Sequence, residues 1–457
     1  MILKKNGILI IASMGIFVEA LDIAIINLTI PSIQAQFNVT NDTVQWLQTL
    51  YVLLYGGFLI IGGKLSDVAG RKKVFIAGAT LFMLTSLGAG FSTSFTMLAF
   101  FRAAQGLAAA LIMPSALSIV THTFTEQRER SKAIGIFSSF AAIGSGSGLS
   151  AGGLISTYWG WHWVFLINVP VLVVVIALSW FFLSGDKIPS NTQKTDVFSG
   201  VLLVLSLLML SYGIHQFAEF KTHYLLIIFC LAGAVICLKL LYNRLLKHED
   251  PLIDLSIFNS PTIVTANGVF FSLGAFFTGY LFLISLLLQK DMHYSAAKAG
   301  ILLVPFSLLS ALTAKFLLPV VMKRLHSAQL GVLGMGLMFL GGLLLYGSIL
   351  TGYSLPLVLI SAACVSGLGM TISFTSLSML SIQNIPAQHY GLASSLASTS
   401  YFLGAGIGLS ILTLFMEKNS LQASVNYLSV AILCIYAFAG LAGLTLFNTR
   451  KNEQQHA

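Results

Sequence analysis

Charged residues are scarce in this chain, because only 9% of its 457 residues are Asp, Glu, Lys or Arg. Soluble domains carry about 25% charged residues, since a surface that faces water needs them. The hydrophobic share of 56% is too large for one enlarged core, because soluble cores stop growing at roughly 250–300 residues. The composition therefore excludes a soluble enzyme, a disordered chain and a nucleic-acid-binding domain, despite a formal charge of +9. Most of the chain is expected to lie in lipid.

Cysteine is also rare, with four residues that all fall within apolar runs and show no metal-ligand spacing. We expect neither a disulfide framework nor a metal site. The H-E-x-x-H motif and a phosphate-binding glycine loop are missing from the sequence. The stretch Gly148-Leu149-Ser150-Ala151-Gly152 has the spacing G-x-S-x-G, but it lies within apolar span five and not at the strand-to-helix elbow that a nucleophile needs. No catalytic residues are therefore predicted, and no cofactor is implied. The repeated filter sequences or charge rings of channels are missing as well.

Long apolar runs are abundant, and each can cross about 30 Å of hydrocarbon as a helix. Helices are expected because lipid leaves no other partner for the backbone of such segments. Fourteen spans are predicted: 7–29, 44–65, 74–91, 95–121, 132–157, 162–184, 198–217, 222–243, 262–289, 296–320, 328–350, 355–378, 391–416 and 427–447.

The distribution of basic residues predicts the orientation. With the N-terminus inside, 18 of the 24 lysines and arginines fall in cytoplasmic segments and four in outer loops. Cytoplasmic loops of membrane proteins carry this excess. The pattern predicts a multi-pass protein of the cytoplasmic (inner) membrane with both termini in the cytoplasm.

The longest polar stretches divide the chain into three parts. They lie at 185–197 and 244–261, on either side of spans seven and eight. The predicted fold class is an all-α integral membrane protein with two six-helix bundles and a central helix pair, an arrangement compatible with an internally repeated transporter. The predicted domains are an N-terminal bundle at 1–185, a linker with the central pair at 186–250, and a C-terminal bundle at 251–457.

Two acidic residues, Glu19 and Asp22, lie deep within a span, whereas nearly all others are in loops or at helix ends. Carboxylates in the membrane are costly and usually face a functional cavity. Glu19 and Asp22 are three residues apart, so they share a helix face and are not expected to ionise together freely. Arg102 lies at a matching depth, about 10 Å below the outer face, and could form a buried ion pair with Asp22. The alternative is a purely structural cluster.

Span five carries a series of glycines. Gly144, Gly148 and Gly152 repeat every four residues, and Gly153 follows directly. Small residues at this spacing allow two membrane helices to approach closely. Tight packing explains the pattern, and a sliding seam between bundles is a further hypothesis.

The loop between spans two and three resembles the signature loop of the major facilitator superfamily. The matching residues are Gly63, Asp67, Gly70, Arg71 and Lys72. In that family the loop latches the cytoplasmic side shut against the helix that corresponds here to span thirteen, which begins within 386–395. The resemblance implies a cytoplasmic gate at these residues.

Further segments resemble the subfamily of fourteen-span drug:proton antiporters. Leu21-Asp22 followed by Asn27 and Pro31 matches its first-span motif. The segment 102–106 is similar to its fourth-span motif, whose arginine takes part in proton coupling. The chain departs from the fifth-span antiporter motif at Leu149, where the family has a proline that kinks the helix.

The resemblance implies a secondary active transporter that exports hydrophobic or cationic small molecules by proton antiport and alternating access, as in multidrug efflux and antibiotic resistance. Asp22, Glu19 and Arg102 would couple protons. A dedicated exporter of one metabolite, siderophore or lipid, or a facilitator without proton coupling, is the alternative. The expected partners are an amphiphilic small molecule, protons and the bilayer, with no nucleic acid, and the protein is expected to be a monomer. Candidate cavity residues are Trp46, Gln48, Tyr51, Asn168 and Asn267.

Overall fold

A computed structural model describes residues 2–183, 185, 196–248, 251–383, 390–416 and 425–456. Within these ranges every regular element is a helix. Fourteen helical segments are long and apolar enough to cross a membrane, as the sequence predicts. We label them α1 to α14 in chain order: Lys5–Phe37, Asn41–Ala69, Arg71–Gly90, Phe95–Thr123, Lys132–Tyr158, His162–Phe182, Val197–Gln216, Phe220–Lys247, Pro261–Asp291, Ala296–Val321, Ser327–Leu350, Leu355–Ser381, Leu392–Leu414 and Tyr427–Thr449.

The first helix is longer than its predicted span and is irregular near its outer end. A 3₁₀ turn at Ile26–Thr29 separates the α-helical part Ile2–Ile25 from the short helix Ile30–Phe37. Pro31 lies in the first turn of that short helix. Because proline has no N–H, it cannot donate to the carbonyl of Asn27 four residues earlier. The backbone of α1 is therefore interrupted five residues after Asp22.

The first six helices pack as one bundle and the last six as another. In the N-terminal bundle α1 packs on α4, α5 and α6, while α4 also packs on α2 and α3. In the C-terminal bundle α9 packs on α12, α13 and α14, and α11 packs on α12 and α14. The two bundles meet where α5 packs on α10 and α2 packs on α13. The division at 185/186 and 250/251 stays a prediction, because 184, 186–195, 249 and 250 lie outside the described residues.

Helix α7 of the central pair contacts both bundles. It packs on α2 and on α13, and the hydroxyls of Ser211 and Ser410 lie 2.6 Å apart. Helix α8 packs on α7 and leaves most of its apolar side chains exposed. At the predicted cytoplasmic end the pair is joined by Asp196, which precedes α7, and Arg244 of α8, with Nε–Oδ1 at 3.0 Å. The central pair is thus anchored along the line where the bundles meet.

Candidate functional site

The centre of the N-terminal bundle holds a buried ion pair. Arg102 Nη1 lies 2.5 Å from Asp22 Oδ2, and the two side chains are 1% and 0% exposed. Asp22 lies on α1 and Arg102 on α4, so the structure confirms the contact that their matching depths predict. The pair lies inside the membrane-spanning region. There a charged Asp or Arg side chain without a partner of opposite charge is energetically costly.

Arg102 also donates hydrogen bonds to α2 and within α4. Its Nε donates to the carbonyl of Leu47 at 3.2 Å, and Nη1 also donates to Gln105 Oε1 at 2.8 Å. Gln105 Nε2 in turn donates to Ser86 Oγ at 2.8 Å. The guanidinium carbon lies 4.3 Å from the centroid of the Tyr51 ring, a cation–π distance. Arg102 therefore joins α1, α2 and α4 in one network.

The second oxygen of Asp22 is also bonded. Asn168 Nδ2, from α6, donates to Asp22 Oδ1 at 2.9 Å. Asn168 is 2% exposed. Both carboxylate oxygens of Asp22 thus accept hydrogen bonds within the bundle, one from a charged donor and one from a neutral donor.

Glu19 lies one helical turn earlier, and its surroundings are different. Its side chain is 3% exposed and accepts a hydrogen bond from the hydroxyl of Tyr55. Oε2 of Glu19 has no hydrogen-bond partner, and the hydroxyl of the neighbouring Tyr51 has none either. Among the described residues no Lys, Arg or His forms an ion pair with Glu19. Glu19 and Asp22 share a helix face, but only Asp22 has a cation beside it.

The glycines of α5 serve two different contacts. A Cβ at Gly148 would lie 2.7 Å from the carbonyl oxygen of Leu21, and Gly144 and Gly152 likewise face backbone of α1. Gly153 faces the backbone of Ala296 on α10, in the other bundle. The α5 helix runs without interruption through Leu149, where the family's proline is missing. The backbone next to Asp22 is therefore held against α5 with no room for a side chain.

Polar contacts also join the two bundles near the predicted outer face. Ser285 Oγ of α9 donates to the carbonyl of Asn27 at 2.5 Å, the carbonyl that Pro31 leaves without its usual helical donor. The backbone N–H of Ala297 donates to Thr157 Oγ1 at 2.9 Å. Gln48 Nε2 donates to Asn27 Oδ1 at 2.6 Å, so Asn27 also contacts α2. The bundles are thus bonded together between Asp22 and the predicted outer face.

The chain turns sharply at Gly70, between α2 and α3. Gly70 ends α2 with φ +96°, a conformation that residues with a Cβ rarely adopt. Gly63, nearly two turns before the end of α2, faces Pro114 of α4. Asp67 is exposed. The glycines of the predicted gate therefore shape the turn and the packing beneath it.

The basic residues of this loop bind within the N-terminal bundle. Arg71 Nε donates to Ser118 Oγ at 2.9 Å. Lys72 Nζ donates to the carbonyls of Trp180 at 2.9 Å and Leu183 at 2.6 Å, at the end of α6. The predicted contact with the start of span thirteen falls partly on residues 386–389, which lie outside the described residues. A role in gating stays a prediction.

The five candidate cavity residues lie in different parts of the structure. Tyr51 and Asn168 contact the Asp22–Arg102 pair, whereas Gln48 donates to Asn27. Trp46 packs on α7, with ring centroids 5.6 Å from His215 and 5.9 Å from Tyr212. Asn267 lies in the C-terminal bundle, where it accepts a hydrogen bond from Ser400 at 2.8 Å. Contact with substrate stays a prediction for all five.

Sequence reasoning missed Tyr55 and the Asn27–Ser285 contact. Tyr55 follows Tyr51 by four residues, so the two share a face of α2, and this spacing was the available signal. No local pattern marks Ser285, because its partner is a carbonyl 258 residues away in sequence. The freed carbonyl of Asn27 could have been inferred from Pro31, but its donor could not.

The described residues form fourteen membrane-spanning helices in two bundles with a central pair, and a buried ion pair lies within the N-terminal bundle. This arrangement is typical of a polytopic membrane protein of the transporter class. The chain belongs to the Major Facilitator Superfamily, whose family model matches residues 12–409.

Curated relatives carry names that refer to drug resistance or export. The chain is 28% identical over 409 residues to the multidrug resistance protein Stp of Mycobacterium tuberculosis, covering 88% of this chain and 74% of the relative. It is 29% identical over 407 residues to the cephamycin export protein CmcT of Amycolatopsis lactamdurans, covering 88% and 83%. It is 27% identical over 416 residues to the methyl viologen resistance protein SmvA of Salmonella typhimurium, covering 89% and 81%.

A solved structure shares the fold. It is a crystal structure of an auto-inhibited peptide transporter of the POT family, with a TM-score of 0.69 and 14% identity. The superposition covers 98% of this chain and 96% of the other. At this identity the likeness concerns the fold alone.

Proposed function

We propose that this protein exports hydrophobic or cationic small molecules, with inward proton flow as the driving force. The observation that carries the proposal is the Asp22–Arg102 pair, buried within the membrane-spanning part of the N-terminal bundle. Ionisable groups at such positions are costly and mark ion or proton pathways in membrane proteins. A proton on Asp22 would neutralise its carboxylate and so weaken the ion pair with Arg102.

The names of the relatives support the class of substrate. Three relatives that each match 88–89% of this chain are named for multidrug resistance, cephamycin export and methyl viologen resistance. By extension we propose multidrug efflux and antibiotic resistance for this chain, without a catalysed reaction. Export of one compound is the second candidate, which the name of the cephamycin exporter favours.

In the proposed cycle Asp22 takes up a proton when the central cavity faces outward. The change of charge releases Arg102 from Asp22, and Arg102 keeps its bonds to Leu47 and Gln105. The bundles then rock to face the cytoplasm, where the proton leaves and the ion pair forms again. Arg102 thus acts as the counter-charge that makes proton release favourable.

The two ends of the bundles would act as alternating gates. The contacts of Asn27 with Ser285 and of Thr157 with Ala297 would form the outer gate and break when the cavity opens outward. The turn at Gly70, with Asp67 and Arg71, would close the cytoplasmic side. We further propose a location in the cytoplasmic membrane, both termini in the cytoplasm, and a monomer as the working unit.

The proposal is tested by ethidium uptake into everted membrane vesicles whose lumen is acidified. Uptake is expected with the wild-type protein and with Glu126→Gln, a matched control that removes an exposed acid from the loop before α5. Asp22→Asn is expected to lose uptake driven by the pH gradient. Full uptake in Asp22→Asn would contradict the role of Asp22, and loss in both variants would point to damage that is not specific to the site.

A further inference from the structure

Helix α7 of the central pair is held against α2 at the predicted outer face. The two helices run in opposite directions, so the start of α2 meets the end of α7. His215 Nε2 lies 3.9 Å from Asp42 Oδ2. One turn deeper, the ring centroids of Trp46 and Tyr212 are 5.9 Å apart. Both contacts join the central pair to the N-terminal bundle.

The same two helices interlock in the middle of the membrane and towards its inner side. A Cβ added at Gly57 of α2 would collide with Val204 of α7, and a Cβ added at Gly200 of α7 would collide with Ile61 of α2. Glycines in membrane helices permit this close approach. Because each helix supplies one glycine and one branched side chain, neither helix can slide along the other without a collision.

The contact continues past the inner end of α7. Lys64 Nζ of α2 donates to the carbonyl of Pro251 at 2.8 Å, in the segment that follows α8. Leu252 in the same segment is 1% exposed, and a Cβ added at Gly200 would lie 3.8 Å from its side chain. The N-terminal bundle therefore holds the central pair at both faces of the membrane.

The contact of α7 with α13 of the other bundle is of a different kind. The hydroxyls of Ser211 and Ser410 lie 2.6 Å apart, within two turns of the outer end of each helix. Gly404 and Gly408 of α13 face α9, and Gly406 faces α2. The close glycine contacts of α13 are thus made with helices other than α7.

Alternating access would act on these contacts in different ways. Two bundles that rock against each other come apart at one face of the membrane at a time. If α7 moved with the C-terminal bundle, it would have to break its contacts with α2 at the outer face in one half of the cycle and at the inner face in the other. If α7 moves with the N-terminal bundle, it keeps those contacts and breaks the Ser211–Ser410 bond when the outer side opens.

We infer that the N-terminal bundle carries the central pair throughout the transport cycle, and that α13 moves along α7. This inference rests on the proposed function and adds to it a role for the two helices between the bundles. The Ser211–Ser410 bond becomes a further contact of the outer gate. Helix α8 follows α7 because Arg244 binds Asp196.

The test locks the two contacts of α7 one at a time, in the full-length protein with its four native cysteines replaced. Ser211→Cys with Ser410→Cys allows a disulfide between α7 and α13, since the two hydroxyls are already in contact. Asp42→Cys with His215→Cys allows α2 and α7 to be joined at the same face by a short, membrane-permeant bis-methanethiosulfonate. Ethidium uptake into everted vesicles is measured before cross-linking, after it and after reduction, together with the fraction of free thiols.

Both double variants are expected to take up ethidium in the reduced state. The disulfide between positions 211 and 410 should stop uptake, because the outer side can no longer open, and reduction should restore it. The cross-link between positions 42 and 215 should leave uptake unchanged. Uptake that persists with positions 211 and 410 joined would overturn the inference, as would uptake that is lost with positions 42 and 215 joined.

A second pair covers the case in which Asp42→Cys with His215→Cys does not fold. Lys64→Cys with Pro251→Cys joins α2 to the segment after α8 at the inner face. Its cross-link by the same reagent should also leave uptake unchanged. Loss of uptake that reduction reverses would contradict the inference.

Failure of the proposed function is distinct. It appears as full gradient-driven uptake in Asp22→Asn, or as no ethidium uptake by the wild type. Amide hydrogen exchange then replaces uptake as the measurement. The disulfide between positions 211 and 410 should slow exchange at the outer ends of α5 and α10, where the bundles part, and the cross-link between positions 42 and 215 should not. Equal exchange with either cross-link would overturn the inference.

Discussion

Arg102 and Asp22 are 80 residues apart in sequence, and their side chains meet at 2.5 Å with almost no exposure to solvent. A pair of this kind is weak evidence for stability, because removing two charges from water costs about as much as their attraction returns. The pair can serve function because the charge of Asp22 changes when its carboxylate takes up a proton. In the function that we propose, the pair is a switch, because protonation of Asp22 would remove the ionic partner of Arg102.

The first prediction concerns the two partners of this switch. Asp22→Asn or Arg102→Gln alone should lower thermal stability, and loss of one partner of a buried pair costs about 3–5 kcal/mol. The double variant leaves no uncompensated charge and should be more stable than Arg102→Gln, yet it should not couple transport to protons. Melting temperatures in detergent give the stabilities. A double variant less stable than both single variants would contradict a direct interaction.

The second prediction concerns the outer contact between the bundles. Ser285→Ala removes the hydroxyl that donates to the Asn27 carbonyl. Pro31 cannot replace this donor within the helix, because proline has no N–H. Losing one hydrogen bond of about 1 kcal/mol should raise the outward-open population roughly fivefold. The labelling rate of Ala297→Cys by a membrane-impermeant maleimide, with the four native cysteines replaced, measures this opening, because Ala297 is buried and its backbone N–H bonds Thr157 of the other bundle.

The control for Ser285→Ala is Ser272→Ala in the same helix, whose hydroxyl donates to the carbonyl of Gly268 within α9. It should leave the labelling rate of Ala297→Cys unchanged. Equal rates in Ser285→Ala and Ser272→Ala would show that the contact with Asn27 does not hold the outer side closed.

The third prediction concerns the close approach of α5 to α1. Gly148→Ala places a methyl group 2.7 Å from the carbonyl oxygen of Leu21, next to Asp22. Forcing the helices apart should cost about 1–3 kcal/mol and should reduce transport. Gly135→Ala lies in the same helix with nothing within 4 Å of the added methyl, and it should behave as the wild type. Identical melting temperatures and transport in the two variants would contradict tight packing at Gly148.

The fourth prediction concerns the ion pair between Asp196, which precedes α7, and Arg244 of α8. Burial of Asp196 opposes its ionisation, but hydrogen bonds from Ser199 and Arg244 outweigh burial and hold the pKa of Asp196 below its ordinary value. A lowered pKa adds stability above the ordinary value of about 3.9, and this stability is lost as the pH falls through the lowered pKa. The Asp196–Arg244 ion pair should therefore persist at pH 5.

The rate of amide hydrogen exchange in α7 measures how firmly the Asp196–Arg244 ion pair holds this helix. Asp196→Asn should speed exchange in Val197–Gln216 at pH 7 relative to the wild type, whereas lowering the pH of the wild type from 7 to 5 should not weaken protection beyond the intrinsic change in exchange rate. Protection that is the same in Asp196→Asn and the wild type would show that the ion pair with Arg244 does not hold α7 and α8 together.

The sequence was sufficient for the spans and for the contact between Asp22 and Arg102. Lipid imposes helices of a set length, and depth along two helices follows from counting residues. Depth does not fix which face of a helix meets which neighbour. For that reason Gly153 could not be separated from Gly148, although one faces α10 and the other α1. The contact of Trp46 with His215 of α7 could not be predicted either, because the position of the central pair is not encoded locally.

The most direct test of the account uses purified protein in proteoliposomes with a pH-sensitive dye inside. An outside-acidic gradient is imposed on vesicles loaded with ethidium and on vesicles without it. The account predicts proton entry that depends on ethidium in the wild type and in Glu126→Gln, and its loss in Asp22→Asn. Ethidium-dependent proton entry that persists at the wild-type rate in Asp22→Asn would contradict the central claim.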